Sequence, residues 1–174
     1  MKNIKTAIRA VLSLGILSCL IFGAAGCQGN GLETKAPDMV ELSTWIFTSG
    51  VPNNLITVKS EDENLTFECR ADEGYLLYQS QYHKEITLSS GETVHWAFSD
   101  TEWIHKDVPV DYVDIVVKEE DRIVGYAVIR ITQRDGMDFS AKVVKSVMFK
   151  KIDGKYQSVT DSELNERLQT TRKS

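Results

Sequence analysis

The chain predicts an all-β, mainly antiparallel domain of the β-sandwich class with one short C-terminal helix. Apolar and polar residues alternate with a two-residue period almost without interruption from Leu42 onward, the signature of half-buried strands. Turn-forming clusters interrupt that alternation at regular spacing and mark out about nine short strands. The alternation stops at Thr160-Asp-Ser-Glu163, a capping box that opens a helix. A small β-barrel satisfies the same pattern and is the alternative architecture.

Thr44 to Thr48 and Leu55 to Val58 are expected to flank a turn over Gly50-Val-Pro52-Asn53-Asn54, whose glycine, proline and asparagines stop a strand. Asn64 to Ala71 alternates so that Leu65, Phe67 and Cys69 share an inward face. Tyr75 to Gln79 and Glu85 to Leu88 follow, and Gly91 separates them from Thr93 to Phe98, where Val94, Trp96 and Phe98 lie on one side. Tyr112 to Lys118 carries Val113, Ile115 and Val117 inward, turns at Glu119-Glu-Asp121, and continues as Arg122 to Thr132 with Ile123, Ala127, Ile129 and Ile131 at even spacing. Val116, Val124 and Val128 make the second face of this hairpin apolar too, which places it near a sheet centre covered on both sides. Phe139 to Lys150 reads as a long strand, and Asp153-Gly154 supplies the left-handed pair of a tight hairpin before Tyr156 to Val159. The helix from the capping box runs to about Arg172 with Leu164 and Leu168 as a thin apolar stripe, so it must dock on a sheet to persist.

The stretch from Tyr112 to Ile131 resembles the final hairpin of immunoglobulin-like modules on bacterial surfaces. The Cys, Trp, Cys arrangement of antibody-type domains is absent, because Cys69 has no partner within the domain.

The N-terminus is built differently. Lys2, Lys5 and Arg9 introduce an apolar run of fourteen positions, Ala10 to Gly23, followed by Ala24-Ala25-Gly26-Cys27. A spanning helix needs roughly 20 apolar residues, so this run fits the core of an export signal instead. The small residues leave the backbone open to a peptidase, and the thiol that follows can be acylated. The segment resembles the lipobox of bacterial lipoproteins at Ala25-Gly26-Cys27, with Ala24 where that family usually has Leu. That resemblance implies diacylglycerol on Cys27, cleavage before it, and a mature protein lipid-anchored on the extracytoplasmic face of the cell membrane. Ordinary secretion after cleavage near Ala25 is the competing reading. The expected organisation is a signal peptide over 1–26, a lipidated N-terminus and flexible tether over 27–39, and one β-rich domain over 40–174 with its helix at about 161–172.

Removal of the signal leaves 17 basic against 25 acidic residues, a net charge of −8, which argues against nucleic acid as a partner. Residues 28–121 carry a net −13 and residues 122–174 a net +5. Arg130, Arg134, Lys142, Lys145, Lys150, Lys151 and Lys155 would form a basic face for anionic headgroups or wall polymers, or would simply neighbour acidic strands within the fold. With Cys19 lost and Cys27 acylated, Cys69 has no disulfide partner, and its inward position opposes a nucleophilic role.

Polar chemistry concentrates in one loop, Ser99 to Asp107, where Asp100, Glu102, His105 and Asp107 gather around Trp103 between two strands. Carboxylates and an imidazole of this kind could hold a divalent cation or act in hydrolysis, but the spacing matches no established metal loop, and no metal or cofactor is assigned. A solvated acidic loop with Trp103 tucked onto the sheet is the plainer reading. His83 and His95 are isolated, and Tyr75, Tyr78, Tyr82 and Trp103 are the aromatics left over for a glycan- or peptide-binding strip. The sequence therefore favours a lipid-anchored binding module for an extracellular protein, peptide or wall polymer. Its alternatives are an immunity-type lipoprotein that sequesters a cationic peptide, and a small surface hydrolase using the Asp100–Asp107 loop.

Overall fold

The computed structural model describes residues 31–46, 52–97, 110–135 and 138–174. In chain order the strands are β1 (Glu33–Lys35), β2 (Val40–Ile46), β3 (Pro52–Val58), β4 (Leu65–Ala71), β5 (Tyr75–Tyr78), β6 (Gln81–His83), β7 (Glu85–Ser89) and β8 (Thr93–Ala97). They continue with β9 (Val110–Glu119), β10 (Arg122–Asp135), β11 (Asp138–Phe149), β12 (Lys151–Ile152) and β13 (Lys155–Tyr156), and end in helix α1 (Asp161–Arg172).

Two antiparallel sheets result, ordered β1-β11-β10-β9-β4-β7 and β2-β3-β8-β5-β6, with β12-β13 a separate short hairpin. Both larger sheets have free edges among the described residues, so the architecture is an all-β sandwich and not a closed barrel. The chain changes sheet six times, between β1 and β2, β3 and β4, β4 and β5, β6 and β7, β7 and β8, and β8 and β9. Leu65, Phe67, Cys69, Val113, Ile115, Val117, Ala127, Ile129 and Ile131 of one sheet meet Val40, Ile56, Val58, Leu76, Val94 and Trp96 of the other in a continuous core. Burying each large aliphatic or aromatic chain of this kind contributes about 1.5–3 kcal/mol.

The central hairpin forms as its alternation predicts, with Arg122 opposite Glu119 and Glu120 taking a positive φ of 55° in the turn. It is not a final hairpin, because β11 continues the meander beside β10. One face assignment is corrected. A register shift between Ile123 and Gly125 inserts an extra residue, which turns Val124 into the inter-sheet core and leaves Ile123 bridged to Val159. The outer face of the hairpin is apolar, with Val116, Tyr126 and Val128 buried beside Val147 and Phe149, and α1 covers it through Leu164 and Leu168. The capping box is intact: Glu163 N–H donates to Thr160 Oγ1 at 3.3 Å, and Thr160 N–H donates to Glu163 Oε2 at 2.8 Å.

Two further expectations are corrected. Residues 33–39, read as tether, belong to the domain: Glu33–Lys35 pairs with Val147–Phe149, and Met39 is buried. Pro52, Asn53 and Asn54 sit in β3 opposite Thr44–Ile46, not in a turn. Proline is tolerated there as the first residue of its strand.

Candidate functional site

The loop residues Asp100, Glu102, Trp103, His105 and Asp107 lie outside the described residues, as does Cys27. What the structure places is the pair of strand ends on either side of residues 98–109. β8 ends at Ala97, opposite Tyr75, and β9 begins at Val110, opposite Thr132. Strand register puts the Ile46/Pro52, Ala71/Tyr75 and Asp135/Asp138 strand ends at this same far pole, and puts Glu33, where the chain enters the domain, at the opposite one.

At the far pole one buried carboxylate organises the backbone. Asp111 is 2% exposed and accepts from Glu73 N–H at 2.8 Å, Gly74 N–H at 2.9 Å, Trp96 Nε1–H at 2.7 Å and its neighbour Tyr112 N–H at 2.8 Å. The same segment is held from its other side by Lys84, whose Nζ donates to the carbonyls of Asp72, Glu73 and Gly74 at 3.2, 2.6 and 2.7 Å. Amides thus face a carboxylate and carbonyls face an ammonium, so the segment's polar groups are satisfied from both sides. Lys84 also lies 4.4 Å above the Tyr75 ring, which meets Tyr82 edge-on at 6.0 Å, and Tyr82 is 56% exposed. Of the aromatics open to a binding strip, Tyr75 and Tyr82 are therefore brought together, while Tyr78 packs against the core and bonds Glu92.

The outer face of the six-stranded sheet resolves the basic C-terminal stretch. Lys145 pairs with Glu33 at 2.7 Å and Lys151 with Asp62 at 3.2 Å. Arg167 joins Glu33 as well, and Arg172 bridges Asp114 at 2.7 Å and Asp72 at 3.1 Å. Glu68, itself buried, is flanked by Arg70 and Lys118. Arg130 and Lys142 stand directly opposite each other and exposed, without described counter-ions. Of the residues expected to form a single basic face, Lys145 and Lys151 are spent on acidic neighbours.

Several titrations follow. Burial raises the pKa of Asp114, against the opposing charge of Arg172. Burial acts the same way on Glu33, but hydrogen bonds and charge from Lys145, with Arg167 and Tyr126, outweigh it and hold the carboxyl below its ordinary range. Burial pushes the Cys69 thiol up to about 12, which keeps it out of thiolate chemistry. His95 is half-buried on β8 between Leu55 and Leu77, and burial lowers its pKa. His83 is half-buried on β6.

The sequence reading missed Asp111, Asp114 and Lys84. Two aspartates inside the otherwise apolar run Val-Asp111-Tyr-Val-Asp114-Ile were the available signal, since a charge in a buried strand requires partners. At the chain-entry pole an open groove of about 1150 Å³ lies between the β1–β2 connection, the 59–64 segment and the Ser90-Gly91 turn. Among the described residues no three His, Cys, Asp or Glu side chains come together as a metal site. No helix of the described residues is long and apolar enough to cross a membrane. Compared with protein-family models, curated proteins and solved structures, the chain matches none.

Proposed function

We propose that this chain is a lipid-anchored binding module on the extracytoplasmic face of a membrane, held through Cys27 and presenting its far pole to a protein, peptide or wall polymer. The observation that carries the proposal is the lipobox-type segment ending at Cys27, with only five residues between it and the first strand at Glu33. Six backbone steps span at most about 20 Å, so an anchored domain stands with its entry pole toward the bilayer and its far pole away from it. The rigid clip around Asp111 and the strand ends flanking the 98–109 segment then face outward, where loops on a stable scaffold serve recognition. A surface hydrolase built on Asp100, Glu102 and His105 would rest entirely on residues outside the described set. Intact mass spectrometry of the native protein extracted from membranes tests the proposal. A chain beginning at Cys27 with diacylglyceryl mass added is expected, and an unmodified chain released into the medium would overturn it.

A further inference from the structure

The groove at the chain-entry pole has features that neither the anchor nor the far pole explains. Its volume of about 1150 Å³ exceeds the roughly 300–1,000 Å³ of clefts built for small molecules, and it opens to solvent. Exposed Pro37 and half-buried Ala36, Met148 and Tyr156 supply the accessible apolar floor of the groove, with buried Met39, Leu65 and Phe67 behind it. The charges above that floor are unbalanced. Lys59 is held by Glu41 and Lys151 by Asp62, whereas exposed Asp38, Glu61 and Glu63 have no counter-ion among the described residues. Among the described residues lining the same groove, one ammonium, that of Lys35, makes no ion pair with another described residue.

We infer that this groove binds a segment of a cationic amphipathic peptide, its apolar side chains on the floor and its cations against Asp38, Glu61 and Glu63. Charge complementarity selects a cation, and the apolar floor selects a chain that alternates cationic with apolar groups. The five residues between Cys27 and Glu33 supply the setting. The inference rests on the proposed anchoring, which places the groove at the bilayer side, where cationic amphipathic peptides accumulate on anionic lipid. Steering by carboxylates raises the capture rate and is weakened by salt.

The test uses the full native chain in detergent and a short synthetic peptide of alternating lysine and leucine, with an alternating glutamate–leucine peptide as control. Binding of the cationic peptide alone is expected, weakened roughly tenfold by added salt and roughly tenfold by the double reversal E61K/E63K. Both positions are exposed and make no described ion pair, so the variant should fold, which circular dichroism checks. A photoreactive form of the peptide should cross-link within residues 35–39 or 59–64. Equal binding of both peptides, or tight binding that E61K/E63K leaves unchanged, would overturn the inference. Mass spectrometry of the same preparation separates the two proposals: a lipidated chain that ignores the peptide sinks the groove alone, and an unlipidated chain that binds it sinks the anchor alone.

Discussion

Asp111 and Trp96 are joined across the two sheets by a 2.7 Å hydrogen bond from the indole N–H to a carboxylate oxygen, with both residues almost fully buried. The same carboxylate holds Glu73 and Gly74, so one side chain locks β8, β9 and the β4–β5 turn at the pole from which the 98–109 segment departs. Asp111→Ala would leave buried donors without an acceptor and is expected to destabilise the domain by about 3 kcal/mol. Urea unfolding followed by tryptophan fluorescence checks this. A loss below roughly 0.5 kcal/mol would mean that water replaces the carboxylate and that the lock is not structural.

Gly74 is constrained by the same contact. A Cβ there would stand 2.5 Å from Trp96 Nε1 and 2.9 Å from Asp111 Oδ2. Gly74→Ala is therefore expected to cost about 2 kcal/mol through overpacking. A calorimetric Tm equal to that of the parent chain would contradict the close approach.

Glu33 and Asp114 give stability opposite dependences on pH. The folded pKa of Glu33 lies below its ordinary value of 4.5, so its contribution is present above that value and is lost as pH falls through the folded pKa. The folded pKa of Asp114 is raised, so its contribution is fullest below the ordinary value of 3.8 and declines as pH rises through the folded pKa. Glu33→Gln should flatten the acid limb of a stability-against-pH curve while leaving the Asp114 slope in place. An unchanged acid limb in that variant would show that the Glu33, Lys145 and Arg167 cluster contributes nothing to folding.

Cys69 is expected to resist alkylation at pH 8 for as long as the domain is folded, since its thiol is fully buried and titrates near 12. Its labelling rate should follow the population of unfolded chain as urea is added. Rapid labelling without denaturant, mapped to Cys69 by peptide mass, would show that β4 opens locally.

Thr160→Ala removes the side-chain acceptor at the start of α1 and should cost about 1 kcal/mol. Because α1 shields Tyr126, Val128 and Phe149, amide exchange in β10 and β11 should rise with it. Exchange confined to the helix would mean that the sheet holds without its cover.

Much of the fold was legible because its signals are local. Strands such as Leu65–Ala71 and Val110–Glu119 follow from alternation, which needs only each residue and its neighbours. The Asp153-Gly154 turn follows from positive φ values of 52° and 77°, which those residue types tolerate. Strand β6, three residues long and without alternation, left no such trace. The bulge that exchanges Ile123 and Val124 was equally silent, because an even spacing reads the same on paper whether or not a residue is inserted into the ladder.

The candidate sites were far less legible. Asp100, Glu102, His105 and Asp107 attract attention because they are close in sequence, whereas Asp111 serves Gly74 across 37 positions and Glu33 meets Arg167 across 134. The groove draws on segments as distant as Lys35, Asp62, Gly91 and Lys151.

The sequence by itself determined the all-β class, most strand positions, the inward side of Cys69 and the capped helix, since side-chain alternation and turn chemistry act over a few residues. Tertiary structure alone decided that 33–39 joins the domain, that the basic stretch is partly neutralised, and which carboxylates lack a counter-ion among the described residues. Those outcomes depend on which strands lie side by side. Pairing between strands is a relation of distant segments, and no periodicity within either segment records it.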